Sequence, residues 1–187
     1  MSPFNHSSLL TDRHQMPHSS LVFIGLYNPK SPTNVGAVMR AVGCYKADRV
    51  YYTGERFDRA SKYQTDTNNT NLKVPLKVIE NLYEAMPKGM QLVCVELVEG
   101  AIALPEFDHP EQAMYLFGPE DGSIPQALID RADHVVYVPT IGCMNLAASV
   151  NVLLYDRLAK LTTSECDDSI VLQSRDVNNR LKVKSVV

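Results

Sequence analysis

Short apolar runs alternate with helical patterns along the chain. Five runs rich in Val, Ile, Tyr and Phe are predicted to be strands, because they are short and bounded by turn-forming residues. They cover residues 21–27, 49–54, 91–98, 113–118 and 134–139. Between them, apolar residues recur at helical spacing, which predicts helices over 34–46, 80–87 and 145–161 and a short one after Pro125. This alternation predicts an α/β fold, a parallel sheet with helices on both faces.

The helix over 34–46 has one apolar face. Its core-facing residues are Val35, Val38, Val42 and Tyr45. Arg40 falls roughly opposite this stripe and is expected to face solvent. Thr33 or Asn34 is placed to cap the start of the helix.

The last predicted helix follows a small, glycine-containing loop. Its core face comprises Leu146, Val150, Leu153 and Leu154. Asn145 precedes that face, near the positive end of the helix dipole, where helix capping is the ordinary role of an asparagine.

Length and composition add a domain prediction. The chain has 187 residues, 45% of them hydrophobic, which is enough to bury one core. We expect a single domain over residues 20–162, a flexible extension over 1–19 and a flexible tail over 163–187. No apolar run approaches the roughly 18 to 20 residues needed to cross a bilayer, and residues 1–19 lack the basic start and apolar centre of a secretory signal.

The cysteines and histidines argue against a metal site. Four cysteines occur without a CxxC pair, and Cys44 and Cys94 lie in apolar segments where buried thiols are common. The histidines lie mostly in the extension or in predicted loops. We therefore expect no metal, no disulfide framework and a reducing, cytoplasmic location.

The net charge of −3 argues against a protein that coats nucleic acid, because phosphate contacts depend on Lys and Arg. Any RNA surface must then be local. Arg56, Arg59 and Lys62 lie close together after a predicted strand and form one candidate RNA-binding group; a solvated loop is the alternative.

Three loops follow strands at the edge of the sheet where α/β proteins bind ligands. The loop over 28–36 lacks both the dinucleotide fingerprint and the P-loop spacing, so cofactor phosphate binding is not indicated. The loop over 118–125 places Glu120 and Asp121 between two glycines. The loop over 139–145 ends at Asn145.

Taken together and in order, these segments carry a family resemblance. They contain "NVGAVMRAVG" (34–43), "YLFGPEDGSIP" (115–125) and "VPTIGCMNLAASVNVLLYDRL" (138–158). This trio resembles the three motifs of the SPOUT superfamily of knotted RNA methyltransferases, specifically the TrmH-like ribose 2'-O-methyltransferases. The resemblance spans about residues 20 to 160.

The resemblance implies a C-terminal deep trefoil knot, S-adenosylmethionine as cofactor, and a homodimer with its active site at the subunit interface. The motif matches imply a catalytic set of Asn34, Arg40, Glu120 and Asn145. They also imply a cofactor pocket formed near Leu97, Gly118, Val138, Ile141, Met144 and Leu146. The reaction would be attack of a ribose 2'-hydroxyl on the methylsulfonium of the cofactor.

Arg40 matches the arginine that the family is often said to use as a base. A guanidinium keeps its proton under ordinary conditions, so we expect Arg40 instead to hold an RNA phosphate and to stabilise developing alkoxide charge. Cys143 departs from the family, which usually has Ser there; a thiol is a weaker hydrogen-bond donor.

Three functions are compatible with the fold. The leading prediction is an RNA ribose 2'-O-methyltransferase acting on tRNA or rRNA, with tRNA favoured because no separate RNA-binding domain is predicted. The alternative is a catalytically inactive knotted RNA-binding protein, which Cys143 and the acidic net charge support modestly. A nicotinamide-dependent oxidoreductase lacks its phosphate fingerprint.

Overall fold

Within the residues that the computed structural model describes, 20–61, 74–161 and 168–183, seven strands form one parallel sheet. The strands are β1 Leu21–Leu26, β2 Arg49–Tyr52, β3 Leu76–Val78, β4 Gln91–Val95, β5 Ile102–Ala103, β6 Gln112–Phe117 and β7 His134–Tyr137. They lie in the order β3-β2-β1-β6-β4-β7-β5.

Within the same residues the structure has six α-helices and one 3-10 helix. The α-helices are α1 Pro32–Cys44, α2 Arg56–Ser61, α3 Leu82–Ala85, α4 Gln126–Ile129, α5 Leu146–Leu161 and α6 Asp168–Ser174, and the 3-10 helix spans Leu104–Glu106. One buried cluster joins the sheet to α1 and α5, and a second, on residues of the other face, includes Leu82 of α3. The predicted parallel α/β sheet is confirmed.

Two short strands, the short helices α2 and α6 and the 3-10 helix were not predicted from the sequence. The five predicted strands correspond to β1, β2, β4, β6 and β7; β6 has the predicted length but begins one residue earlier, and the other four are shorter than expected. β3 and β5 were not predicted, and α2 occupies the segment for which a solvated loop was the alternative.

The chain divides into two compact units. The larger spans residues 16–162 and contains the sheet. The other comprises residues 1–15 and 163–187, and in it the structure describes α6 and the irregular residues 175–183. Residues 1–19 lie outside the described ranges. The flexibility of that extension and of the tail stays a prediction, although the tail contains α6.

The register aligns the carboxyl ends of the central strands. Leu26 at the end of β1 pairs with Tyr52 on one side and with Phe117 on the other. Phe117 also pairs with Val95 at the end of β4, which pairs with Val136 of β7. The loops that follow these strands therefore emerge along one edge of the sheet.

Helix α1 begins at Pro32, two residues earlier than predicted. Ser31 is the capping residue, and its Oγ accepts a hydrogen bond from the Asn34 backbone N–H at 3.3 Å. The prediction that Thr33 or Asn34 caps the helix is wrong, because Pro32 occupies the first turn, where its fixed φ and missing N–H are tolerated. Asn34 thus lies inside the helix, and its side chain is available for other contacts.

The two faces of α1 are as the periodicity predicts. Val35, Val38 and Val42 are buried, each at 1% exposure or less, whereas Arg40 is exposed. Full burial of a Val side chain stabilises a fold by about 1.5 kcal/mol or more. The apolar stripe therefore fixes the rotation of the helix and places Arg40 on the outside.

Helix α5 also follows its predicted pattern, with one exception. Its predicted core residues Leu146, Val150, Leu153 and Leu154 are buried. Arg157 is buried beside them at 2% exposure. A buried guanidinium requires several partners to offset its desolvation.

The partners of Arg157 come from distant parts of the chain. Its Nη1 donates to the Tyr115 hydroxyl at 2.8 Å and to the Pro110 carbonyl, and its Nη2 donates to the Ser20 hydroxyl at 3.0 Å and to the Glu111 carbonyl at 2.9 Å. Arg157 thus links α5 to the segments that precede β1 and β6.

The thiols only partly follow expectation. Cys94 is buried as predicted, but Cys44 is exposed because it is the last residue of α1 and lies off the core face.

In the ranges that the structure describes, no helix is long and apolar enough to cross a membrane. The cytoplasmic location stays a prediction.

Candidate active site

A cleft opens where β4, β6 and β7 end. Five of the six predicted cofactor residues line it: Leu97, Gly118, Val138, Met144 and Leu146. Ile141, the sixth, is fully exposed and is not part of the lining. Cys143 does line the cleft, and its role relative to the usual Ser stays a prediction.

Gly118 lies where two segments of the cleft wall approach each other closely. A Cβ atom at this position would lie 3.2 Å from Oε2 of Glu96 and 3.3 Å from the backbone nitrogen of Ile124. Both distances are tighter than ordinary van der Waals contact. A side chain at this position would therefore require Glu96 or the backbone at Ile124 to shift by a few tenths of an ångström.

Glu120 lies at one side of the cleft and accepts hydrogen bonds from three N–H donors. Its Oε2 accepts from the Lys30 backbone N–H at 2.8 Å, and its Oε1 accepts from the Ser31 backbone N–H at 3.0 Å and from Nδ2 of Asn34 at 3.1 Å. Desolvation raises the pKa of Glu120, but hydrogen bonds from Lys30, Asn34 and backbone N–H groups outweigh it, so the pKa lies below its ordinary value. Glu120 is therefore an ionised acceptor.

Asn34 connects Glu120 to Asn145. Its Oδ1 accepts a hydrogen bond from Nδ2 of Asn145 at 2.9 Å. The Oδ1 of Asn145 in turn accepts from the Ala147 backbone N–H at 2.8 Å, which confirms that Asn145 caps α5. One residue from each sequence motif thus belongs to a single hydrogen-bonded chain.

Arg40 lies apart from this chain of contacts. It is exposed on the outer face of α1. Among the described residues, the structure gives it no hydrogen bond or ion pair with the other three members of the predicted catalytic set. Its guanidinium is therefore free to meet a group from outside the subunit.

The sequence and the fold of this chain are similar to those of known proteins. Residues 21–155 match the model of the SpoU rRNA Methylase family. The chain belongs to the SpoU family. Since TrmH-like enzymes share this family description, the predicted resemblance is confirmed.

Relatives of this SpoU-family protein are distant. It is 24% identical over 131 residues to the tRNA (guanosine(18)-2'-O)-methyltransferases of Escherichia coli (strain K12) and Shigella flexneri, an overlap covering 67% of this chain and 57% of each relative. The chain thus spans less than two thirds of the length of these relatives.

Solved structures share the fold. An rRNA methyltransferase from Sinorhizobium meliloti with bound AdoMet has a TM-score of 0.63 at 20% identity, covering 81% of this chain and 60% of that one. The A. aeolicus TrmH/SpoU tRNA modifying enzyme has a TM-score of 0.58 at 17% identity, covering 81% and 85%. A protein described for 2-OH methylation of C/U34 on tRNA has a TM-score of 0.64 at 22% identity, covering 83% and 99%.

Two of the three residues in the candidate RNA-binding group of the SpoU-family protein, Arg56 and Arg59, form ion pairs within the subunit. Arg56 forms a forked contact with Asp121, with nitrogen–oxygen distances of 2.8 and 2.9 Å. Arg59 of α2 pairs with Glu55, which directly precedes that helix, and Lys62 lies outside the described residues. The hydrogen bond from Arg56 and the nearby Lys30 lower the pKa of Asp121.

Sequence reasoning did not anticipate two acidic contacts in the SpoU-family site. Asp121 was noted only as part of a polar loop, although it pairs with Arg56 of α2. Glu96, at the end of β4, lines the cleft and was not singled out. The position of Glu96, a charged residue at the carboxyl end of a strand, could have indicated its place in the site.

In the described ranges, no group of three or more His, Cys, Asp or Glu residues could hold a metal ion.

Proposed function

We propose that this protein transfers a methyl group from S-adenosylmethionine to a ribose 2'-hydroxyl of RNA, with tRNA favoured over rRNA. The observation that carries the proposal is the hydrogen-bonded chain of Glu120, Asn34 and Asn145 at the cleft. Membership in the SpoU family supports it, and so do relatives described as tRNA 2'-O-methyltransferases.

The cleft suits the proposed cofactor. Its wall combines apolar side chains such as Val138 and Leu146 with partly exposed backbone around Gly118, which fits a ligand with a flat aromatic base and several polar groups. S-adenosylmethionine, when bound, supplies an activated methyl group. Leu97, Gly118, Val138, Met144 and Leu146 would hold it, and Ile141 remains a prediction from sequence.

The three bonded residues would position the reaction. Both oxygens of Glu120 are occupied by N–H donors, so Glu120 would act through Asn34 rather than take up a proton. Asn34 and Asn145 would then hold the loop before α1 against the start of α5. Enzymes gain much of their acceleration from such fixed alignment of reactants.

Arg40 would contact the RNA directly. Its planar guanidinium can bind a phosphate through two parallel hydrogen bonds, and it remains a cation throughout. Arg40 would hold the phosphate next to the target ribose and stabilise the charge that develops on the 2'-oxygen, while the proton leaves to phosphate or water.

The proposal includes a homodimer with the active site at its interface. The exposed side of α5 carries three large apolar residues at helical spacing: Val152, Tyr155 and Leu158. Helix α1, which carries Arg40, packs beside α5. A second subunit on this surface would cover the apolar residues and would bring a further set of polar groups towards Arg40.

A deep trefoil knot is the final part of the proposal. Strand β7 lies between β4 and β5, two strands that precede it in the chain. The likeness to solved SpoU structures supports a shared path for the segment that follows β7. A crystal structure in which residues 118–161 leave every preceding loop unthreaded would contradict the knot.

Two measurements test the function. Isothermal titration calorimetry with S-adenosylmethionine comes first, and methyl transfer to bulk tRNA and rRNA follows. We expect binding and transfer, with the label in ribose 2'-O-methyl nucleosides. Cofactor binding without transfer to either RNA would favour the inactive RNA-binding alternative. Mapping of 2'-O-methylation in cells with and without the protein would then identify the nucleotide as a single lost site.

A further inference from the structure

Glu96 follows the last residue of β4 and lies in the wall of the cleft. Its Oε2 accepts a hydrogen bond from the Ile124 backbone N–H at 2.9 Å, and its Oε1 accepts one from the Leu97 backbone N–H at 3.1 Å. The carboxylate is therefore held in one orientation, with the second-motif loop on one side and its own strand on the other.

The two carboxylates of the cleft, Glu96 and Glu120, differ in how many hydrogen bonds they accept within the protein. A carboxylate offers about four lone-pair positions to donors. Glu120 receives three hydrogen bonds, from Lys30, Ser31 and Asn34. Glu96 receives one on each oxygen, which leaves acceptor capacity on both oxygens.

Two adjacent acceptors match a ligand with two adjacent donors. In the proposed cofactor, the vicinal hydroxyls of the ribose are such a pair, whereas the ammonium of the methionine part is a single centre. Acidic residues at strand ends bind ribose hydroxyls in the same manner in dinucleotide-binding α/β folds. The other residues predicted to hold the cofactor offer glycine or apolar side chains and no carboxylate.

We propose that Glu96 binds the ribose of the cofactor by accepting hydrogen bonds from both of its hydroxyls. This inference rests on the proposed use of S-adenosylmethionine. Because the same carboxylate holds Ile124, ribose binding would also hold the second-motif loop, which contains Gly118 and Glu120. Glu96 would thereby connect recognition of the cofactor to the loop that positions Asn34.

The test compares ligands as well as variants. Calorimetry would measure the binding of S-adenosylhomocysteine, 5'-methylthioadenosine and the 2'-deoxy and 3'-deoxy forms of 5'-methylthioadenosine. The proteins are the wild type, Glu96→Gln and the control Glu99→Gln, which alters an exposed carboxylate in the next turn. Glutamine keeps an oxygen for the Ile124 N–H but replaces the other acceptor with a donor.

We expect the Glu96→Gln protein to bind both S-adenosylhomocysteine and 5'-methylthioadenosine at least tenfold more weakly, with the control unchanged. Each deoxy ligand should bind at least fivefold more weakly than its parent to the wild type, and that difference should shrink in Glu96→Gln. A loss confined to S-adenosylhomocysteine would overturn the ribose assignment in favour of the ammonium.

The remaining outcomes separate this inference from the proposed function. Equal binding of all four ligands by the wild type and Glu96→Gln would overturn the role of Glu96 while leaving the cofactor site intact. If the wild type bound none of the ligands, the cofactor proposal itself would fail, and with it the inference. The deoxy ligands test the wild type directly, so an unstable variant would not prevent a decision.

Discussion

The amide nitrogen of Asn145 lies 2.9 Å from the amide oxygen of Asn34, although 111 positions separate the two residues in the sequence. Asn34 also donates a hydrogen bond to Glu120, which lies in the loop after β6. A substitution at any one of these residues should therefore alter the hydrogen bonding of the other two.

A double-mutant cycle on Asn34 and Asn145 should show this coupling. Neighbouring polar groups typically give interaction energies of about 0.5–3 kcal/mol in such cycles. We expect Asn34→Ala and Asn145→Ala each to reduce methyl transfer more than tenfold, and the double variant to lose less than the product of the two effects. Rates with saturating cofactor would measure it. Strictly multiplicative losses would show that the two amides act independently.

Arg40→Lys should abolish most methyl transfer while leaving cofactor affinity unchanged. Lysine keeps the positive charge but cannot form the two parallel hydrogen bonds of a guanidinium. Loss of one stabilising donor typically costs about 10²–10³-fold in rate. Single-turnover methylation would measure the loss, and Arg131→Lys, at an exposed arginine that does not line the cleft, is the matched control. Near wild-type transfer by Arg40→Lys would refute the forked phosphate contact.

Asp121→Asn should increase affinity for RNA if Arg56 belongs to the RNA surface. The carboxylate of Asp121 now neutralises Arg56 and lies 3.4 Å from Nζ of Lys30. Releasing one cation should strengthen binding a few-fold at low salt and should steepen the salt dependence by about one phosphate contact. Titration of labelled tRNA at several salt concentrations would test this. Asp108→Asn, also exposed, is the control; unchanged binding by Asp121→Asn would place Arg56 outside the RNA surface.

Tyr155→Arg should separate the proposed dimer into monomers. The Tyr155 side chain is 62% exposed in the single subunit, next to Val152 and Leu158 on the helix surface. Placing a like charge in both copies at this position would oppose burial of the apolar patch. Sedimentation velocity would measure the mass, with Val78→Arg on β3 as a control that also replaces an exposed apolar residue. A monomeric wild type would exclude the interface.

The stability of the fold should decrease as the pH falls below about 6.5, the ordinary pKa of histidine. Burial lowers the pKa of His109 in spite of its hydrogen bond to Asp156. The folded state thus binds fewer protons than the unfolded state in this range, and stability falls as the unfolded chain takes up its proton. Urea unfolding between pH 7.5 and 5 should show this slope, which should weaken in His109→Gln. A slope unchanged by His109→Gln would assign it to other groups.

Periodicity was sufficient for much of the fold. Val35, Val38 and Val42 are buried and Arg40 is exposed because a helix with one apolar stripe has a single favourable orientation on the sheet. β3 and β5 have only three and two residues, too few for a strand pattern. Their pairing depends on neighbouring strands rather than on their own composition.

For the candidate site, the sequence indicated which residues to consider but not how they contact each other. The motif resemblance named Asn34, Glu120 and Asn145, and the carboxyl-edge rule placed their loops together. The way in which Asn34, Asn145 and Glu120 pair depends on the register of β1 and β6 and on the rotation of α1. Neither can be read from a local sequence pattern. Arg157 was missed for the same reason, because its partners precede it by between 42 and 137 positions.

The bond between Arg157 and Ser20 also has a practical consequence for protein engineering. Ser20 precedes β1 and Arg157 lies in the last turns of α5, so the backbone enters and leaves this unit at nearly the same place. That place adjoins the amino ends of β1 and β6, whereas the cleft lies at their carboxyl ends. A fluorescent reporter or affinity tag fused before residue 20 would therefore be attached far from the cleft, and a short linker between residues 161 and 20 would make circular permutants feasible.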